Sequence, residues 1–83
     1  MFLRLEPVRL ALRNDVEGQL VFANDALLAI LVRLSDQHEE GGGSWFLEVA
    51  LGRLEGPSHP TFADLEAAQS WIMERVQRDA GRP

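Results

Sequence analysis

The sequence predicts one α+β domain spanning residues 1–83, an antiparallel three- to four-stranded β-meander packed against one C-terminal α-helix in the order β-β-β-β-α. Three observations predict it. Apolar residues recur with a period of two through much of the first fifty residues. Asn, Asp, Gly and Pro clusters interrupt that pattern at turn-like intervals. After Pro60 the period changes to that of an amphipathic helix.

The first element, Phe2 to Arg13, has Val8, Leu10 and Leu12 alternating with charged Arg9 and Arg13. Before Pro7 the phase is reversed, with Leu3 and Leu5 apolar between Arg4 and Glu6. Proline cannot donate to a β-ladder, so Pro7 predicts a bulge or break on an edge strand, and a short helix over part of residues 2–13 stays open as the alternative. Asn14, Asp15 and Gly18 read as a turn. Gln19–Ala23 and Ala26–Leu34 then read as strands joined by a tight hairpin at Asn24–Asp25, residues that tolerate positive φ, with Ala23 opposite Ala26. That register sets Val21, Ala23, Ala26, Leu28, Ile30, Val32 and Leu34 on one face. It sets Leu20, Phe22, Leu27, Ala29, Leu31 and Arg33 on the other.

Residues 35–44 are acidic and then triple-glycine, the composition of a flexible connection. Trp45–Leu54 follows as a strand with Trp45, Leu47, Val49 and Leu51 on one side, and one register would set Arg33 opposite Glu48. Thr61 is the expected N-cap, with Asp64 completing a capping box, so the helix is expected to begin at Phe62. Its stripe is Phe62, Leu65, Ala68, Ile72 and Val76, while Ala63, Glu66, Ala67, Ser70 and Glu74 face away. Arg75 and Arg78 suit the negative end of the helix dipole, and residues 80–83 form a frayed tail beyond it.

Composition narrows the chemistry. With 46% hydrophobic and 25% charged residues the 83-residue chain has a globular balance and room for one core. There is no cysteine, which excludes disulfides, thiolate metal sites and thiol nucleophiles. All eight basic side chains are arginine, so lysine Schiff-base chemistry is excluded as well. A net charge of -5 opposes nucleic-acid binding, whose affinity comes largely from cations placed on phosphates. The longest apolar run, Ala26 to Val32, is far below the roughly 20 residues of a membrane span. No membrane association is expected, and a cytoplasmic location is.

Four constellations invite a chemical reading. Asp36, His38, Glu39 and Glu40 supply oxygen and imidazole donors within one loop, but their spacing matches no structural metal signature and solvated charge explains them. Gly41-Gly42-Gly43-Ser44 lacks the following Lys and the helix of a phosphate-binding loop. Ser58-His59 are adjacent, so their side chains diverge, and the flanking prolines explain the segment as a helix entry. Glu39/Glu40 and Glu48/Glu55 read as surface acids. No catalytic residue and no cofactor follow from these motifs.

The layout resembles the core of double-stranded RNA-binding domains, a three-stranded meander followed by a capped helix. The resemblance stops at topology. That family presents basic residues where its last helix begins, whereas Thr61, Phe62, Ala63, Asp64 and Glu66 stand here, so no RNA-binding activity is implied.

One helix is about 10 Å wide and strands lie about 4.8 Å apart, so one helix covers about two strands. The second sheet face is then expected to need a cover. Leu20, Phe22, Leu27, Leu31 and Phe46, with Trp71 on the helix flank, are the candidate interface residues. The expected function is a non-enzymatic protein-interaction or self-associating module, with a homodimer or another protein as partner. The alternative is a small-molecule or metal-binding accessory protein that uses the sheet–helix cleft or the Asp36–Glu40 loop.

Overall fold

A computed structural model describes residues 2–11, 15–34, 44–57 and 59–80. Strands β1 (Leu3–Ala11), β2 (Asp15–Ala23), β3 (Ala26–Arg33) and β4 (Trp45–Ala50) run in chain order. A single 3-10 turn at Gly52–Leu54, a two-residue strand β5 (Thr61–Phe62) and helix α1 (Leu65–Ala80) follow. The sheet has five strands in the order β1-β2-β3-β4-β5, all antiparallel to their neighbours, with one helix after it. This is the expected meander-plus-helix architecture, with β5 as an additional short edge. The predicted loop over 35–44 lies outside the described residues except for Ser44, whose carbonyl accepts a hydrogen bond from the Leu34 N–H at 2.7 Å. Of the predicted tail, residues 81–83 lie outside them and Ala80 ends α1.

β1 corrects the reading of Pro7. The strand pairs with β2 without interruption from Leu3↔Ala23 through Pro7↔Gln19 to Ala11↔Asp15, so there is neither a bulge at Pro7 nor a helix after it. The strand does lie at the sheet edge, where a missing N–H is tolerated. The phase of apolar residues reverses because the two halves of β1 bury opposite sides. Leu3 and Leu5 pack against the helix-side core, whereas Val8 and Leu10 stand on the other face. Gly18, expected in a turn, is instead within β2 opposite Val8.

The hairpin turn is as expected: Asn24 adopts φ 58°, and Ala23 faces Ala26. The faces are not. A bulge lets Val21 face Ala29 while Phe22 faces Leu27, which inserts Leu28 as an extra residue. Ala29, Leu31 and Arg33 therefore share the helix side with Val21, and Ile30 and Val32 share the far side with Leu20. A second bulge sets Ile30 opposite Val49 but Leu31 opposite Leu47, leaving Glu48 as the extra residue. Val49 thus moves to the far side. Arg33 stands opposite Trp45 rather than Glu48, and its Nη1 donates instead to Glu17 Oε1 at 3.1 Å on β2.

Phe62 belongs to β5 and not to α1, since Thr61 and Phe62 pair with Phe46 and Trp45. The cap is Asp64, whose Oδ1 accepts the Ala67 N–H at 2.8 Å. Ala68, Ile72 and Val76 form the buried stripe of α1, and Glu66, Ala67, Ser70 and Glu74 are exposed. The stripe closes over Val21, Ala29, Leu31, Trp45, Leu47, Leu54 and Phe62. Burial of an aliphatic side chain such as Leu47 or Ile72 contributes about 1.5–3 kcal/mol before entropy is counted.

Candidate interaction face

The sheet face away from α1 is assembled from alternate residues of four strands. Val8 and Leu10 come from β1, Val16, Leu20 and Phe22 from β2, Leu27, Ile30 and Val32 from β3, and Phe46 and Val49 from β4. Gly18 and Val32 are buried at its floor, and the other apolar members are half-buried by one another. Leu10 lies across Gly18, such that an ideal Cβ on the glycine would stand 2.8 Å from Leu10 Cδ1. None of these strand residues belongs to the core cluster beneath α1.

The lateral limits are polar or aromatic. Arg4 on β1 stacks its guanidinium over the Phe22 ring at 4.3 Å and reaches Glu6 Oε2 at 3.3 Å. At the opposite edge the His59 ring stacks near Phe46, with centroids 6.3 Å apart, and its Nδ1–H donates to the Leu47 carbonyl at 2.8 Å. Because a carbonyl can only accept, this bond fixes the Nδ1 proton and employs His59 in seating the segment that leads into β5. The neighbouring Leu47 N–H to Pro60 carbonyl bond at 3.1 Å does the same. Ser58, the other half of the Ser58-His59 pair, lies outside the described residues.

Of the six candidate interface residues, the structure brings Leu20, Phe22, Leu27 and Phe46 onto this one face. Leu31 is corrected: it is 0% exposed and faces α1, because the bulge at Val21/Phe22, with Leu28 as its extra residue, shifts the alternation of β3. Trp71 sits on α1, on the other side of the sheet. It packs against Phe62 with ring centroids 5.6 Å apart and carries Arg75 over its ring at 4.5 Å. Val8, Leu10, Val16, Ile30, Val32 and Val49 are members that the sequence reading did not assign to this face. The reversed phase around Pro7 is the signal that marks the first two.

On the helix side the outer half of the β1–β2 hairpin has the opposite character. Arg9 and Glu17 are exposed there, Gln19 and Arg33 are half-buried, and the Arg33–Glu17 ion pair bridges β3 to β2. Surface pairs of this kind contribute little to stability, so their information lies in marking which side is wet.

The sheet–helix cleft is an open groove of about 850 Å³ between the start of β1 and α1, lined among others by Leu3, Gln69, Met73 and Gln77. Ser70 and Glu74 add to its polar lining, but both are exposed, and among the described residues no polar or charged side chain is buried. No cluster of three or more His, Asp or Glu stands among the described residues; the Asp36–Glu40 loop lies outside them. No described helix is long and apolar enough to cross a membrane. No protein-family model matches the chain, and neither a curated protein nor a solved structure matches it significantly.

Proposed function

We propose that this chain is a non-enzymatic protein-interaction module that docks a protein, or another copy of itself, on the sheet face opposite α1. The observation that carries this reading is the inversion across Pro7. Where α1 covers the sheet, the helix side is apolar (Leu3, Leu5, Val21, Leu31), and beyond it the helix side becomes polar (Arg9, Glu17, Arg33). The far side keeps Val8, Leu10, Val16 and Leu20 in that same outer region. An apolar patch left on a soluble surface marks an association site. The net charge of -5 speaks against nucleic acid as the partner.

The absence of native cysteine makes the test direct. A single thiol is introduced by Leu20→Cys on the far face or by Ala67→Cys on the exposed side of α1. Maleimide labelling rates are then compared between intact expressing cells and dilute purified protein. The expected result is slowed labelling of the Leu20→Cys thiol in cells and an unchanged relative rate for the Ala67→Cys thiol. Equal rates at both positions would refute the reading.

A further inference from the structure

We infer that the occupant of this face is a second copy of the chain, the two sheets stacking face to face as a four-layer α-β-β-α sandwich. The inference rests on the interaction-module reading above and names its partner.

Edges, charge and area point to it. A sheet can grow at its edges, but here one edge carries Pro7 in mid-strand and the other is the two-residue β5. Proline and very short edge strands are the devices by which sheets resist edge addition. Edge-to-edge growth of the sheet is thereby disfavoured, which leaves packing through a face as the route for the sheet to associate.

Two copies of a chain with a net charge of -5 repel each other wherever acidic surface meets acidic surface. On this face, the charged residues of the described strands are Arg4 and Glu6, which cancel, and the exposed Glu48 at the β4 bulge, which leaves one net negative charge on the face of a chain that carries -5. Asp64, Glu66 and Glu74 belong to the segment and helix on the other side of the sheet, and Glu17 pairs with Arg33 there. A cation and an anion two residues apart are also self-complementary: a two-fold axis can set Arg4 of one copy toward Glu6 of the other with no like charges opposed.

The area is sufficient. Four strands at about 4.8 Å and about six residues at about 3.4 Å give each copy roughly 400 Å² of flat face. Pairing two such faces removes on the order of 1,000 Å² of accessible surface, the size of a weak, reversible interface. The connections within the chain offer no substitute. Residues 12–14 and 35–43 together contain one large apolar side chain, Leu12.

Sedimentation equilibrium of the purified chain from about 1 to 500 μM in physiological salt tests the inference. The expected result is a mass rising from the 9.3 kDa monomer toward twice that value. Leu20→Arg is expected to weaken association at least thirtyfold, about the loss of one hot-spot residue, with the circular dichroism spectrum retained. Ser70→Arg on α1 should leave it unchanged. Should Leu20→Arg fail to fold, isotope-filtered NMR on mixed labelled and unlabelled wild type replaces it, with intermolecular contacts expected between Leu20, Ile30 and Val8 methyl groups. A monomer at 500 μM overturns the inference, as does a dimer sensitive to Ser70→Arg but not Leu20→Arg, or one without contacts from these methyls. A monomer whose Leu20→Cys thiol is still shielded in cells sinks the second copy alone and leaves a different protein on the face. A monomer whose thiol labels freely in cells sinks the module reading too.

Discussion

Replacing Gly18 by alanine tests the β1–β2 register and the far face together. A methyl group there would stand 2.8 Å from Leu10 Cδ1 and 3.0 Å from the Leu31 carbonyl oxygen, with Leu10 Cγ at 3.2 Å. Ordinary heavy-atom contact begins near 3.5 Å, so each approach is too close by several tenths of an ångström. Leu10 can rotate away at the price of its packing; the carbonyl, held in the β2–β3 ladder, cannot. Overpacking of this kind costs about 1–3 kcal/mol, against about 0.5–1 kcal/mol gained by removing glycine's freedom in the unfolded chain. The net expectation is a destabilisation of about 1–2 kcal/mol. In a domain of this size each kcal/mol moves Tm by about 4–8 °C, so Tm should fall by about 5–15 °C. Thermal and urea unfolding, followed by the fluorescence of Trp45 and Trp71 at one fixed protein concentration, measures it. Adding Leu10→Ala should be non-additive in the rescuing direction, since it removes one of the two obstacles. A Tm that stays level or rises in Gly18→Ala would mean that Leu10 does not lie over Gly18, and the face as described would be wrong.

Three further substitutions separate alternatives that the sequence left close together. Leu31→Ala should cost about 2–5 kcal/mol in urea unfolding because it opens a cavity under α1, whereas Leu20→Ala, measured in the dilute monomer, should cost under about 1.5 kcal/mol. Asp64→Ala should lower stability by about 1 kcal/mol through loss of the bond to the Ala67 N–H, and Thr61→Ala should lack this helix-capping loss, a difference readable in parallel Tm measurements. At Asn24, with φ 58°, glycine should be tolerated within a few tenths of a kcal/mol while alanine costs about 1 kcal/mol by denaturant titration, because the left-handed region penalises a Cβ.

The elements and their order were legible because their signals are local. Asn24–Asp25 marks a tight turn by its own backbone preference, and Ala68, Ile72 and Val76 mark a helix face by spacing alone. Trp45 falls in the core on simple alternation. The composition of each sheet face was not legible, because it depends on two bulges that no residue announces. Leu28 and Glu48 are ordinary strand residues, yet each shifts everything beyond it to the other side, which is how Leu31 moved into the core and Val49 out of it. The helix start failed for a different reason. Thr61 and Asp64 both make acceptable caps, and the choice falls to Asp64 because Thr61 and Phe62 are taken by pairing with β4. The predicted loop site, Asp36–Glu40, lies outside the described residues.

Lengths explain why the chain carries an inverted strand at all. A 16-residue helix extends about 24 Å. The nine-residue strands of the β1–β2 hairpin extend about 30 Å, and α1 is seated over their open end near Leu3 and Ala23. Part of the hairpin must therefore project past any shelter the helix can give. A projecting hairpin with no further role is best served by polar residues on both of its sides. This one is polar only where α1 would have been, at Arg9, Glu17 and Gln19. On the reverse it keeps Val8, Leu10 and Val16, and Gly18 admits Leu10 into close packing. That arrangement gives up solubility without strengthening the core beneath α1. The second layer proposed for the far side is the arrangement in which those residues would be buried.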